Sequence, residues 1–456
     1  MPLNVINPYN QEIFCTLPLE EEVSLSLKLD QAQKAYRQWR KVPYPERERQ
    51  VKKALEYFER EKDEIARDLT MQMGKPLQQS YNDINTLLDR SYYMISIGEK
   101  TLAPELIPES DGLHRRIEHE PLGVVFDIAA WNYPLMIAGN VVIPALLAGN
   151  AVLLKHSAKT PLCGAHFQNA FQSLEIPGLM THLILSHDQT SQVIRDRRVN
   201  HLVFTGSVSG GARVYQDAAH QFIEAGLELG GNDPAYVAED ADLDMTVENV
   251  IDGACYNAGQ SCCAIERVYV HHSIYDEFLK RAKTVLEAYQ LGDPMDQKTT
   301  MGPLASASAL NDLEAQVDEA VQQGARLLLG GKRVEGVKGN FFQPTLIADV
   351  PNHAVVMQEE SFGPLVPVQS VASDEQALEM MNDTRFGLTA SVWTKDPERA
   401  EWFARDLAAG TIFQNRSDYC DPALPWTGVG ESGKGSSLSP YGFYGLTRRK
   451  SINFRR

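Results

Sequence analysis

Between residues 22 and 100 the apolar positions recur at helical spacing. Pro45-Glu46-Arg47-Glu48 puts a proline and acidic residues where a helix begins. Val51, Ala54, Leu55, Phe58 and Ile65 then share one face up to Asp68, and Gly74-Lys75-Pro76 closes the helix. The Lys, Arg and Glu between them form a solvated face rather than a binding patch. From 115 the pattern changes. Residues Arg116 to Glu120 alternate like an exposed strand, and apolar runs of strand length follow at 124–130, 151–155, 182–186 and 201–206. Helix-like segments separate them, and such alternation predicts right-handed βαβ units on a parallel sheet.

A second alternating region follows residue 230. Its strand candidates lie at 235–239, 267–271, 326–331, 366–371, 390–394 and 410–415, with helices over Ile274 to Tyr289 and Ser308 to Gln322. The tail after 424 is rich in Gly and Ser, ends in the basic run Arg448-Arg449-Lys450, and is short of core residues. It is expected to pack on another element or another subunit. Leu135 to Leu154 resembles a membrane span in hydropathy, but Asn140, Pro144, Gly149 and Asn150 would leave polar groups unpaired in lipid. A buried helix running into a buried strand fits it better. No internal repeat or low-complexity tract is present.

Composition narrows the partners. At 456 residues the chain is expected to form two or three domains. A net charge of −17 argues against nucleic acid and anionic lipid, which are themselves polyanions. The six cysteines, at 15, 163, 255, 262, 263 and 420, include no CxxC pair. They suit free thiols in a reducing compartment, with no metal site. The first residues, MPLNVINPYNQEI, have neither a basic head nor an apolar run, so a cytoplasmic protein is expected.

The stretch 228–263 carries the candidate chemistry. Glu228 stands just ahead of Gly230-Gly231, and Cys262 follows Asn257-Ala258-Gly259-Gln260-Ser261. A carboxylate and a thiol on two Gly-marked turns can meet as base and nucleophile. Each also has a plainer reading, since a cysteine is more often a small buried hydrophobe and a lone Glu more often a surface charge. There is no GxGxxG. Instead Phe204-Thr205-Gly206-Ser207 ends a strand, with Gly211 five residues after Gly206. A helix start of this kind binds phosphate through its N–H groups, although Gly-Ser after a strand is commonly only a cap.

NAGQSCC at 257–263 and ELGG at 228–231 resemble the active-site signatures of the NAD(P)-dependent aldehyde dehydrogenase superfamily. WNYP (131–134), LLK (153–155), FTGS (204–207), EESFGP (359–364) and SGKG (432–435) match it in order. The resemblance spans about residue 6 to 450. It implies that Cys262 attacks the aldehyde carbon and that Asn132, with the Cys262 N–H, stabilises the oxyanion. Glu228 then activates the water that releases the acid. It also implies NAD or NADP bound by Trp131, Lys155, Ser157, Thr205, Gly206, Ser207, Gly211, Leu229, Glu360 and Phe362. Without it, Asn132 is equally a turn residue before Pro134.

Three departures from the family pattern matter. KHSA at 155–158 ends in Ala158, where NAD-selective members often carry Glu, so NADP is expected to be tolerated. Val141 stands where many members carry Lys, which leaves the route of proton escape open. Ala130 replaces the usual Pro. The substrate pocket is expected near Tyr133, Ile137, Asn140, Ser261, Cys263 and the loop Arg416 to Pro422. Arg416 is the cation nominated for an anionic tail such as that of succinate semialdehyde, although a surface ion pair explains it equally well.

The fold expected is α/β. A Rossmann-type dinucleotide-binding domain takes 1–114 and 123–229, and a catalytic α/β domain takes 230–424. The segments 115–122 and 425–456 resemble the family's oligomerisation elements, so a homodimer or homotetramer is expected. Two other functions stay open: a coenzyme-A-acylating dehydrogenase, and a catalytically idle binding or structural relative.

Overall fold

The computed structural model describes residues 2–174, 176–417 and 419–455. Two α/β layers dominate it, each a sheet faced by helices. The first sheet has six strands, in the order Gly433–Lys434, Ala225–Glu228, His201–Thr205, Val124–Ala129, Ala151–His156 and Met180–His182. All neighbours are parallel except Gly433–Lys434, which runs antiparallel to Ala225–Glu228. The strand Val124–Ala129 is buried on both faces, as a central parallel strand should be. Val124, Phe126 and Ile128 enter one core, and Val125 and Ala129 enter the other.

The second sheet has seven strands, in the order Arg326–Leu329, Thr345–Ala348, Leu365–Val371, Ile265–His271, Asp233–Val237, Thr389–Trp393 and Thr411–Gln414. Arg326–Leu329 is its antiparallel edge. A third, three-stranded sheet joins Thr447–Arg455, Leu113–Pro121 and Glu105–Ser110. The basic run of the tail lies in the first of these strands. There Arg448 and Lys450 reach Glu120 at 3.2 and 2.8 Å.

Several elements differ from the sequence reading. The helix expected from Pro45 to Asp68 is two, Tyr44–Arg60 and Lys62–Met73, because the backbone leaves helical geometry at Glu61 (φ −97°, ψ 20°). No Gly or Pro announces that bend; it lets two apolar stripes face different neighbours. The run 182–186 is a strand only at its start. Ser186 is the N-cap of the helix His187–Ile194, with a full capping box to Gln189, so the chain must leave the sheet before it. Glu105–Ser110, placed by sequence in the cofactor-binding part, pairs with Leu113–Pro121. Gly433–Lys434, placed in the tail, completes the first sheet. The run 135–154 is the buried helix Pro134–Ala148 followed by the strand Ala151–His156. No helix among the described residues is long and apolar enough to cross a membrane.

Asn150 ties these parts together. It is fully buried, accepts from the Gly123 N–H (2.9 Å), and donates to the carbonyls of Ala145 (3.2 Å) and Leu446 (3.0 Å). Replacing it strands the Gly123 N–H and the Leu446 carbonyl, each costing about 1–3 kcal/mol when buried unpaired, while the Ala145 carbonyl keeps the Asn150 backbone N–H (2.9 Å). Asn150→Ala is expected to lower unfolding free energy by about 3 kcal/mol in chemical denaturation. A loss below about 1 kcal/mol would show that the tail is not held through this residue.

Candidate active site

The nucleophile candidate sits on an over-wound loop. The helix Leu243–Cys255 ends, and Asn257, Ala258 and Gly259 then all take positive φ (54°, 56° and 73°). For the two non-glycine residues this backbone costs about 1–3 kcal/mol each, and such strain persists only where its surroundings hold it. They do. The Asn257 side chain donates to the carbonyls of Asn132 (3.3 Å) and Gln260 (3.2 Å). Gln260 donates to the Asn257 carbonyl (3.0 Å) and accepts from the Ala305 N–H (2.9 Å). One of these bonds joins the Cys262 loop directly to the segment of Asn132.

Glu228 is fixed from the other side. Its strand pairs with Thr205 and Gly433, and its carbonyl accepts from the Gly206 N–H (3.0 Å). Gly230 and Gly231 then pass through a gap that admits no side chain. A Cβ on Gly230 would lie 2.4 Å from the Glu360 carboxylate, and one on Gly231 would lie 2.4 Å from the Cys262 carbonyl. The two halves of the 228–263 stretch therefore meet at Gly231.

Between them lies a cavity of about 360 Å³. Glu228, Cys262 and Thr205 line it, as do Tyr133, Ile137, Asn140, Ser261 and Cys263 of the expected pocket. From the expected loop come Ser417, Tyr419, Cys420 and Pro422, while residue 418 lies outside the described residues. Asn132 is buried but is not on this wall, and neither is Arg416, whose guanidinium stacks 3.5 Å over the Tyr419 ring. The cation among the described lining residues is Arg90, which donates to the Cys420 carbonyl (3.3 Å). Arg90 belongs to the helix Leu77–Thr101, which also sends Gln79, Asn82, Asp83, Thr86 and Asp89 to the wall. Sequence reading missed this face. Its signal is polar residues at three- and four-residue spacing, which a solvated helix shares. Asp83 and Lys75 are both fully buried and 3.6 Å apart, and Lys75 sits 4.2 Å over the Tyr133 ring.

The electrostatics favour neutral resting groups. The Cys263 thiol favours the Cys262 thiolate, but burial, with Cys420, Glu228 and Asp233 nearby, outweighs it and raises the Cys262 pKa. Burial raises the pKa of Glu228, opposed by Ser437 and Arg90. Glu360, which accepts from the Gly231 N–H (3.1 Å), is pushed up to about 7 by burial.

The cofactor candidates gather around the ends of the first sheet. Ser207 caps the helix Val208–Ala219, accepting from the Gly210 N–H (3.2 Å), and Gly211 in that helix packs against Leu229. Trp131 and Phe362 meet edge to face with centroids 5.5 Å apart, and Lys159 lies 4.3 Å over Trp131. Lys155 and Ser157 follow at the end of Ala151–His156, where burial lowers the Lys155 pKa. Ala158 is exposed and offers no carboxylate. Lys159, two residues after Ser157, is the neighbour that sequence reading did not single out.

The profile of the family described as Aldehyde dehydrogenase family matches residues 1–452. A Synechocystis sp. protein named probable succinate-semialdehyde dehydrogenase (NADP+) is 34% identical over 453 residues, 99% of each chain. The succinate-semialdehyde dehydrogenase (NADP+) of Deinococcus radiodurans is 35% identical over 452 residues, 99% of this chain and 94% of its own. A crystal structure of Staphylococcus aureus betaine aldehyde dehydrogenase in complex with NAD+ superposes with a TM-score of 0.96 at 29% identity. That match covers 100% of this chain and 92% of the other.

A raised thiol pKa has a direct consequence. Only the thiolate alkylates, so Cys262 in the ligand-free protein is expected to react with iodoacetamide more slowly than a free cysteine at pH 7.5. Its rate should climb as pH passes above the usual thiol range. Site-resolved mass spectrometry would read both. A Cys262 already at full rate at pH 7.5 would contradict the electrostatic account.

Proposed function

The chain belongs to the aldehyde dehydrogenase family, and we propose that it oxidises a short aldehyde, succinate semialdehyde first among candidates, to the acid with NADP or NAD. The observation that carries this reading is the single cavity onto which Cys262 and Glu228 both open. The Cys262 sulfur adds to the aldehyde carbon and its proton is lost. The Asn132 amide, on the segment that the Asn257 bond ties to the Cys262 loop, and the Cys262 N–H take up the developing oxyanion, each such donor being worth about 3 kcal/mol of barrier. The Ser207 turn, Lys155 and Glu360 would hold the nicotinamide cofactor, which would supply the hydride acceptor. The residues present suit it, because Ser207 caps a helix start whose N–H groups favour phosphate, and the Trp131 and Phe362 rings meet edge to face nearby. A Cys262 thioester remains. Glu228 removes a proton from water as that water attacks, and collapse returns the acid and the thiol.

Glu228 must be ionised to act. Its pKa is raised, so hydrolysis is expected to rise with pH beyond the usual carboxylate range rather than plateau below it. Glu228→Gln is expected to keep the first-turnover burst of NADPH and to lose steady-state turnover at least about a hundredfold. Cys262→Ser is expected to lose both. Full NADPH production by Cys262→Ser would refute the covalent route, and no burst with any aldehyde would favour an idle relative. Product formation that required coenzyme A would favour the acylating alternative, against which Glu228 counts. Exposed Ala158 supports use of NADP, and a preference for NAD of about a hundredfold or more would overturn that part.

For the substrate, Arg90 is the group placed to meet a carboxylate tail. It replaces Arg416 in that role, because Arg416 faces Tyr419 rather than the cavity. Arg90→Met is expected to raise KM for succinate semialdehyde about tenfold or more and to leave butanal nearly unchanged. A second reading has its own observation: Asp89 and Asp252 lie exposed on the lining, which suits a cationic aldehyde. Preference for 4-aminobutanal over succinate semialdehyde would decide for it.

A cytoplasmic location is supported by six free cysteines, none in a disulfide. Assembly as a homodimer or homotetramer is supported by the third sheet, where Leu106 is 78% exposed and Phe454 49%. Light scattering after size exclusion is expected to give two or four copies. A monomer at micromolar concentration would rule that out.

A further inference from the structure

Four residues after Cys262, the Glu266 side chain reaches the loop that carries Glu360 and Phe362. Glu266 lies at the start of the strand Ile265–His271 and is 3% exposed. Its two carboxylate oxygens each accept one backbone N–H, from Ser361 at 2.7 Å and from Phe362 at 2.8 Å. Two successive N–H groups that converge on one anion form a concave donor pair of the kind that binds negative charge. Strand alternation sends the next side chain, Arg267, elsewhere. Its guanidinium donates to the Asn232 carbonyl (2.8 Å), and the Asn232 amide donates to the Glu359 carbonyl (2.8 Å). Glu266 and Arg267 therefore brace residues 359–362 from one strand. The loop needs bracing. Phe362 has φ 52°, a conformation that an aromatic residue keeps only when its surroundings hold it.

A carboxylate is a costly way to hold two amides. Burial disfavours the charge on Glu266, and Glu360 and Asp233 add to that, while the Ser361 and Phe362 N–H groups favour it. A neutral amide side chain would satisfy one donor without that repulsion. What a carboxylate adds is a second acceptor, so both N–H groups are fixed at once. The two peptide units that carry them lie between the Glu360 and Phe362 side chains, so fixing both sets those side chains relative to each other. Glu360 then accepts from the Gly231 N–H (3.1 Å), and Phe362 meets Trp131 with centroids 5.5 Å apart. We propose that Glu266 is a positioning residue for the cofactor: it sets the Glu360 carboxyl and the Phe362 ring as one unit facing the nicotinamide end, and ties that unit to the Cys262 loop. Glu266 itself touches neither substrate nor cofactor. Its effect falls on cofactor binding and hydride transfer, whereas hydrolysis by Glu228 needs neither Glu360 nor Phe362.

The inference rests on the reading in which Glu360 and Phe362 hold the cofactor, and its test separates the two. NADP affinity would be measured by quenching of protein fluorescence, and the NADPH burst by stopped flow with succinate semialdehyde. Cofactor-free turnover would be read with p-nitrophenyl acetate, an activated ester. There the Cys262 sulfur takes the acetyl group as p-nitrophenolate leaves, and water hydrolyses the thioester. Glu266→Gln keeps the size of the side chain and removes one acceptor. It is expected to weaken NADP binding and slow the burst about tenfold each, with ester hydrolysis within about twofold of the parent. Hydrogen exchange of a peptide containing Ser361 and Phe362 is expected to be slow in the parent and faster in Glu266→Gln. Unchanged NADP affinity and burst in Glu266→Gln, beside weakened binding in Glu360→Ala, would overturn the inference and leave the cofactor reading standing. Unchanged NADP affinity in Glu360→Ala would remove that reading and the inference with it. Equal losses of burst and ester hydrolysis would make Glu266 a structural residue only. Should Glu266→Gln fail to fold, fast exchange of the parent peptide would refute the proposal by itself.

Discussion

The close passage of Gly230-Gly231 beneath Glu360 and the Cys262 carbonyl is the constraint on which the site depends. Backbone alone fits there, with less than 2.5 Å to spare for a Cβ at either residue. That contact fixes the end of the first sheet against the loop of the second, and everything catalytic is measured from it. Upstream, the short strand Ala225–Glu228 is held between His201–Thr205 and Gly433–Lys434, so the backbone that carries Glu228 is fixed on both sides. Downstream, Asn257 and Gln260 lock the strained loop that leads directly into Cys262. Rigidity of this kind suits chemistry that needs reacting atoms within a fraction of an ångström.

The same compactness sets the electrostatics. Burial raises the pKa of Cys262, Glu228, Asp233 and Glu360, because every charged form lacks water, and at Cys262 and Asp233 neighbouring acids add to it. A thiol that rests protonated is protected from adventitious alkylation and oxidation, and its nucleophile appears only when a base or an electrophile draws the proton away. Arg90, on the helix Leu77–Thr101, opposes this effect at Glu228, and with Lys75 just before that helix it also favours the charged form of the buried Asp83.

Much of this was legible in the sequence. Gly230-Gly231 announced a close backbone approach, and the structure supplies both partners. Tyr133, Ile137, Asn140, Ser261 and Cys263 lie on the cavity as expected. What escaped has physical reasons. The inward face of Leu77–Thr101 has the composition of a solvated face, and only burial of Asp83 and Arg90 separates the two. Arg416 was placed correctly on its loop, but loop position does not give side-chain direction, and stacking on Tyr419 turns it aside. The break at Glu61 carries no Gly or Pro because neighbouring helices, not local propensity, impose it. Ala225–Glu228 is too short and Gly-containing to read as a strand; the sheet makes it one.

A second cavity, of about 190 Å³, is the hardest feature to read from sequence, because it is defined by what is small. Gly226, Val141 and Ser437 are unremarkable singly, and only the fold brings them to one side of Glu228. Asn140 and His201 present orphaned polar atoms to the cavity, the kind of wall that water satisfies.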